Sequence, residues 1–426
     1  MLFGLSLCNF GLMYWANIFL AHHLNTDGFA DFSVAISVVT LLSSLSTLGL
    51  EKYALRFVAL NIEREKWGRL RNFLRFSFKA IVLTSFALLI TMSITLESIL
   101  AWKHADFHIA IVIYAAFLPI IALSLFLVEI VTVFGFQILA MVLYRFFLPV
   151  SFIAFIFGLQ QTDFQLSASS SVICLGLAWC LTFALLTLIT YRTCPKLLRQ
   201  VNGSSQDRLK WINRALPLLI YSLMMTIINS AGPIILHALH PSGFQVGLFA
   251  VVMQTSALVV LIGTSTNRYY LPMLMVLLER RDAKGAKSLL FKRIQLISGL
   301  ITIYIGTIFA LGADILELFG PEFVDGYLAL CICTLGASIT TLFSDSPYYL
   351  QFMGQSRLVV WLTATTTACM LIMSTVLSQH YGATGVAVAY ATPIVLLYSC
   401  FKLIANQHMR RYLDINAPAR TDRARF

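Results

Sequence analysis

The sequence predicts an all-α integral membrane protein with about twelve transmembrane helices, arranged as two six-helix lobes around a central cavity. Three observations predict it. Of 426 residues, 59% are hydrophobic and 12% are charged, whereas soluble domains carry about 25% charged residues. Mean hydropathy is +0.83. The charges fall in clusters between apolar runs of about 20 residues, the length that crosses a hydrocarbon core as a helix. These runs lack the two-residue alternation of a membrane β-barrel.

In order, the spans lie near 2–21, 32–55, 78–100, 109–131, 138–158 and 169–190 in the first half. The second half offers 214–236, 243–266, 294–316, 326–346, 358–378 and 383–404. The first run has no basic stretch ahead of it and no cleavage-type site, so it is expected to be a retained span. Between spans only short loops remain, which leaves no room for a soluble catalytic or receptor domain. Residues 1–192 form an N-terminal six-helix lobe and 193–213 a polar cytoplasmic linker. A C-terminal six-helix lobe follows over 214–406, with a basic tail at 407–426.

Charge sets the orientation. Counting from a cytoplasmic amino terminus, the inner loops collect Arg64, Lys66, Arg69, Arg71 and Arg75, then Arg192, Lys196, Arg199, Arg208, Lys210 and Arg214, then Arg280, Arg281, Lys284, Lys287, Lys292 and Arg293, and the tail from Arg410. Outer loops collect Asp27, Asp31, Asp106, Asp163, Glu322 and Asp325, with Lys103 the one basic exception. This positive-inside bias puts both termini in the cytoplasm. It also explains the net charge of +11 without nucleic acid, because the basic residues flank spans. Eight cysteines are scattered through apolar segments with no metal-ligand spacing, which makes them apolar filler and predicts no metal site.

The two halves resemble one another. A slide of 215 aligns His22 with His237, Gly28-Phe29 with Gly243-Phe244 and Ala35 with Ala250. A slide of 217 aligns Tyr53 with Tyr270, Arg64 with Arg281, Gly68 with Gly285 and Arg75 with Lys292. Six spans per repeat give two halves of like orientation, the architecture in which a rocking motion alternates access to a midplane site. A transporter is the leading class.

Short motifs carry a family resemblance over nearly the whole chain: Gly28-Phe29-Ala30-Asp31-Phe32-Ser33, Leu48-Gly49-Leu50 with Arg56, Ala215-Leu216-Pro217, Gly320-Pro321-Glu322-Phe323, Gly354-Gln355 and Tyr381-Gly382-Ala383-Thr384-Gly385. With these in order the chain resembles the polysaccharide exporters of the multidrug/oligosaccharidyl-lipid/polysaccharide superfamily, and among them the O-antigen or capsule flippases of the Wzx type. The resemblance implies a multi-pass protein of the bacterial inner membrane that moves an undecaprenyl-pyrophosphate-linked oligosaccharide to the periplasmic leaflet. Its implied partners are that lipid-linked oligosaccharide, membrane lipids, and the glycan polymerase and chain-length proteins. It implies no cofactor and leaves H+ or Na+ coupling open. The acidic residue often seen in span 7 is replaced here by Asn229-Ser230.

A pyrophosphate needs cationic donors inside the bilayer, and arginine offers a planar fork to phosphate oxygens. Arg145, two turns into span 5, is the leading candidate, since a central arginine costs roughly 2.5–3.5 kcal/mol on insertion scales. Its alternative is a structural pair with Glu129. Lys52 and Arg56 share a helix face at the inner mouth, with Glu51 beside them, and Arg268 occupies the corresponding end of span 8. Their alternative role is span-end anchoring. Asp345, with Glu129 and Glu51, is a candidate for ion coupling or charge pairing. The prolines in spans 4, 5 and 7 predict kinks.

Three other functions compete with the flippase. A multidrug or small-metabolite exporter coupled to Na+ or H+ is expected to hold carboxylates deep in spans 1 or 7, which have none. A glycan polymerase or ligase, the enzyme reading, needs sizeable outer loops. A non-transporting scaffold of glycan assembly leaves Arg145 unexplained.

Overall fold

The structure is a computed structural model that describes residues 2–100, 105–161, 165–193, 208–240, 243–280 and 282–413. Most of the expected linker (194–207) and tail (414–426) lie outside these. The described residues are helical and contain no strand. In chain order the helices are α1 (Leu2–His23), α2 (Thr26–Ser46), α3 (Leu50–Glu63), α4 (Trp67–Leu100), α5 (Ala105–Ala115), α6 (Leu118–Val131), α7 (Gln137–Val142), α8 (Leu148–Gln160) and α9 (Ala168–Thr193). There follow α10 (Arg208–Leu239), α11 (Phe244–Ser256), α12 (Leu258–Glu279), α13 (Ala283–Glu317), α14 (Tyr327–Leu342), α15 (Ser346–Phe352) and α16 (Ser356–Leu413). Two π-helical turns, Thr132–Phe136 and Leu143–Phe147, flank α7.

Ten runs among the described residues are long and apolar enough to cross a membrane. Two of them are double. Leu118–Gln160 has 43 residues and Ser356–Met409 has 54, so as straight helices they would reach about 65 and 81 Å at 1.5 Å per residue, more than twice a hydrocarbon core. Each is broken by a glycine at positive φ, Gly135 at 93° and Gly382 at 53°. Counting each as two crossings gives the twelve spans of a multi-pass membrane protein. The prolines divide by role. Pro119 and Pro149 open helices, where a missing N–H is tolerated, whereas Pro217, Pro233, Pro272 and Pro393 lie inside them.

The chain forms two compact units, Met1–Gly247 and Leu248–Phe426. α10 belongs to the first because it packs along α2, where Thr226 Oγ1 donates to Ser44 Oγ at 3.3 Å, and beyond its end Gly243 N–H donates to the Asp27 carboxylate at 2.8 Å. This grouping describes packing, whereas division of the sequence into six-span halves describes repetition.

Within the first unit, α2 and α3 are separated by a tight break in which Leu48 and Gly49 both have positive φ, 52° and 67°. The spanning run therefore ends at Ser46, and α3 continues beyond it as a separate amphipathic helix. Its buried side packs Tyr53 and Phe57 on Phe73 of α4 and Trp211 of α10, with the Phe73 and Trp211 rings 5.5 Å apart and edge-on. In the second unit Val259, Ile297, Ile301 and Ala337 form an apolar cluster.

The repeat is visible in the backbone at a spacing of 216, one residue short of the 217 at which Arg64 aligns with Arg281 and Gly68 with Gly285. α3 ends at Glu63 and α12 at Glu279, while α4 opens at Trp67 and α13 at Ala283. Three backbone bonds recur in the described residues of the two turns, among them Leu70 N–H to Lys66 O and Ala286 N–H to Asp282 O. Lys66 N–H donates to Asn61 O and Asp282 N–H to Leu277 O, each at 2.9 Å; Arg64 donates to Leu60 O and Arg280 to Val276 O.

Candidate functional site

Two polar clusters lie at equivalent places in the two units. In the first, α3 carries Glu51 and Lys52 on adjacent residues, and α6 brings Glu129. Lys52 Nζ donates to Glu129 Oε1 at 2.9 Å, with the lysine side chain 47% exposed and the glutamate 19%. An ion pair this open contributes about 0–1 kcal/mol. Burial works to lower the Lys52 ammonium, but Glu129 outweighs it and holds the ammonium above its ordinary range. Glu51 is different. It is buried, and burial pushes its carboxyl up against the opposing pull of the Thr47 hydroxyl and Lys52. Its Oε2 has no hydrogen-bond partner among the described residues.

In the second unit α13 drives Arg293 into the core. The buried positions Ala286, Leu290, Ile297 and Ile301 recur at helical spacing, and Arg293 falls on that same stripe with 1% exposure. Four oxygens receive its guanidinium. Nη1 lies 3.2 Å from Asp345 Oδ1 and donates to Leu342 O at 3.1 Å; Nη2 donates to Asn267 Oδ1 at 2.8 Å and Ser344 Oγ at 2.9 Å. Asn267 in turn donates through Nδ2 to Ser344 O at 3.2 Å. Asp345 is also 1% exposed, so both charges have left water and each depends on the other. Nearby, Ser346 Oγ is 3.0 Å from Tyr349 OH, over whose ring Lys402 lies.

Of the residues singled out from sequence, the structure brings together Lys52, Glu129 and Glu51. Arg56 lies one turn further along α3 and is exposed, as is Arg268 on α12 beside Asn267. Asp345 sits at the break between α14 and α15, makes no side-chain cap there, and is held by Arg293. Arg145 lies in the π turn between α7 and α8, half-buried, where Leu143 and Tyr144 pack with Leu127, Val128, Val131 and Leu186. A π turn locally re-aims side chains out of helical register and is often found at functional sites. Glu129, weighed as the partner of Arg145, receives Lys52. His23 bridges α1 and α8, its Nδ1 2.9 Å from Phe19 O and its Nε2 3.3 Å from Gln160 Nε2. Sequence reasoning counted Arg293 among the loop charges. The signal that places it inside is the stripe it interrupts.

No family model matches the chain, and no curated protein matches it. Solved structures do. A multidrug resistance MATE family transporter of the MOP superfamily, in an inward-facing conformation, superposes with a TM-score of 0.78 at 15% identity, covering 96% of each chain. The lipid II flippase MurJ in its inward closed conformation gives 0.70 at 14% identity over 97% of this chain and 90% of that one. A Vibrio cholerae MATE transporter, VcmN, gives 0.63 at 16% identity over 96% and 94%. Likeness over nearly the full length of both chains, at such low identity, is a likeness of architecture, and this chain has the fold shared by MATE transporters and MurJ.

Proposed function

We propose that the protein flips a lipid-linked oligosaccharide, carried on undecaprenyl pyrophosphate, from the cytoplasmic to the periplasmic leaflet of a bacterial inner membrane by alternating access. The observation that carries this reading is the full-length fold shared with a lipid II flippase, joined to the motif resemblance to Wzx-type exporters. Arg145 is the proposed pyrophosphate ligand, with Lys52, Arg56 and Arg268 as inner-mouth cations. Multidrug export is favoured by the fold shared with MATE transporters. Against it, neither α1 nor α10 contains a carboxylate.

The test is complementation of a strain lacking the protein and any redundant flippase. That strain is expected to accumulate lipid-linked oligosaccharide on the inner leaflet and to lose surface glycan. Arg145→Ala is expected to abolish rescue at near-normal protein abundance, and Arg145→Lys to retain part of it, because a point charge attracts phosphate without bidentate geometry. Normal surface glycan in the deletion strain, or full rescue by Arg145→Ala, would remove the substrate or the residue respectively. Drug resistance conferred without glycan rescue would establish the exporter reading.

The proposed orientation has its own measurement. In a cysteine-free background, Asp325→Cys is expected to react with an impermeant thiol reagent in cells with a permeable outer membrane, and Ser204→Cys to be protected. The reverse pattern overturns it.

A further inference from the structure

α4 has 34 residues and α13 has 35, lengths of about 51 and 52 Å at 1.5 Å per residue. A hydrocarbon core takes about 30 Å of each. The apolar runs that fill it begin near 78 and 294, so roughly the first eleven residues of either helix stand in the headgroup layer. The proposed orientation makes that layer the cytoplasmic one. Cations on these two segments point different ways. Arg69 lies over the Phe57 ring at 5.7 Å, and Arg293 is 1% exposed within its cage of oxygens. Arg75, Lys79, Lys284 and Lys292 are exposed, and among the described residues they have no side-chain hydrogen bond or ion pair.

Helical spacing fixes what these four face. Arg75 and Lys79 are one turn apart, and their stripe continues at steps of three and four through Leu83, Phe86, Ile90 and Ile94, which are 52–71% exposed. Phe78 lies beside them at 43%. On α13 Lys292 opens a stripe through Leu296, Leu300 and Ile303, 40–68% exposed, and Lys284 precedes it with Phe291 between them at 61%. The buried stripe of Ala286, Leu290, Ile297 and Ile301 occupies the opposite side of the same helix. Bulky apolar side chains left open along a spanning helix face acyl chains. The cations at the head of each stripe therefore meet lipid headgroups, not the path of a transported molecule. A positive-inside bias needs basic residues only somewhere in the inner loop, whereas these sit on the lipid side of the helix itself. The repeat relates them, since Arg75 aligns with Lys292 at a spacing of 217.

We propose that each unit binds an anionic phospholipid of the surrounding leaflet, its phosphodiester held by Arg75 and Lys79 on α4 in the first unit and by Lys284 and Lys292 on α13 in the second. Guanidinium and ammonium donors take the phosphate oxygens, and the acyl chains lie along the apolar stripe below. Lys284 and Lys292 are about 12 Å apart along the axis, within the joint reach of two extended lysine side chains. The adjacent pair Lys292 and Arg293 thus divides its work: one charge serves the lipid and the other the core of the unit. The partner is a phospholipid and not free phosphate, because the stripe offers a place only to acyl chains. Nothing in this depends on which molecule the protein transports.

The experiment follows thermal unfolding of the full-length protein in a neutral detergent with added phosphatidylglycerol, phosphatidylcholine or inorganic pyrophosphate. Phosphatidylglycerol is expected to raise Tm saturably, by mass action on the folded state, and the other two to leave it unchanged. Arg75→Gln with Lys79→Gln is expected to weaken the first site by about 25-fold, as two cations worth roughly five-fold each, and so to remove part of the shift. Lys284→Gln with Lys292→Gln does the same for the second site, and the four changes together remove nearly all of it. Each variant is read against its own Tm without lipid, so a change in intrinsic stability does not enter. Arg64→Gln with Lys66→Gln takes the same charge from the turn ahead of α4, off the stripe, and is expected to keep the full shift. An equal loss in that control pair would mean that lipid answers to net charge alone, and a pyrophosphate shift as large as that of phosphatidylglycerol would mean a phosphate site without lipid. Either result overturns the proposal, as does the absence of any phosphatidylglycerol shift in the unaltered protein.

Discussion

Arg293→Ala is expected to reduce membrane abundance sharply and to destabilise the second unit by about 3–5 kcal/mol, the effect of stripping one partner from a buried ion pair. The reason lies in what stays behind. Asp345 keeps its 1% exposure and loses the guanidinium that holds it, while Asn267 Oδ1, Ser344 Oγ and Leu342 O lose a shared donor. A buried carboxylate without a counter-ion must either take up a proton or draw in water, and both disrupt the packing of α12, α13 and α14. Asp345→Asn is expected to be damaging for the converse reason. Replacing both charges, as Arg293→Met with Asp345→Leu, should recover part of the loss, because no unpaired buried charge remains and only the neutral oxygens of Asn267, Ser344 and Leu342 still lack their donor. Quantitative membrane blots and detergent melting curves for the unaltered protein, Arg293→Met, Asp345→Leu and the pair form a double-mutant cycle. Additive losses in the double variant would mean that the two charges are not coupled.

Sequence periodicity made most of the fold legible and little of the polar core. Spans announce themselves by length and hydropathy, because backbone groups in lipid leave a helix as the economical solution, and the glycine breaks at Gly135 and Gly382 fall close to the predicted limits of spans 5 and 12. The end of span 2 was harder. Tyr53 and Ala54 look like continued membrane helix because they are apolar, yet with Phe57 they are buried in one cluster with Phe73 and Trp211 as the face of a separate helix. Charge is where a linear reading has least purchase. Lys292 and Arg293 are adjacent, one exposed and one buried, and a count of loop charges treats them alike. Only the stripe Ala286, Leu290, Ile297, Ile301 separates them. Lys52 and Glu129 are 77 residues apart, and nothing local in either segment indicates their meeting.

Gly49→Ala is expected to destabilise the first unit by roughly 2–5 kcal/mol, combining left-handed backbone strain with overpacking. Gly49 has φ 67° and ψ 6°, a conformation that glycine reaches without penalty and alanine does not. The added Cβ would also lie 2.7 Å from Leu219 N and 2.8 Å from Ala215 O. Those two atoms belong to the backbone of α10, so no side-chain rotation relieves the overlap; the α2–α3 break must move away from α10 as a whole. That movement would loosen the core formed by Tyr53, Phe57, Phe73 and Trp211. Gly299→Ala is the matched control: it sits in α13 with nothing within 4 Å of the added atom, and alanine there should stabilise by about 0.5–1 kcal/mol through helix propensity. Melting curves of both variants decide the matter. If Gly49→Ala melts no lower than the Gly299→Ala protein, then the break at Leu48-Gly49 is not seated on α10 and the α2–α10 packing needs to be redrawn.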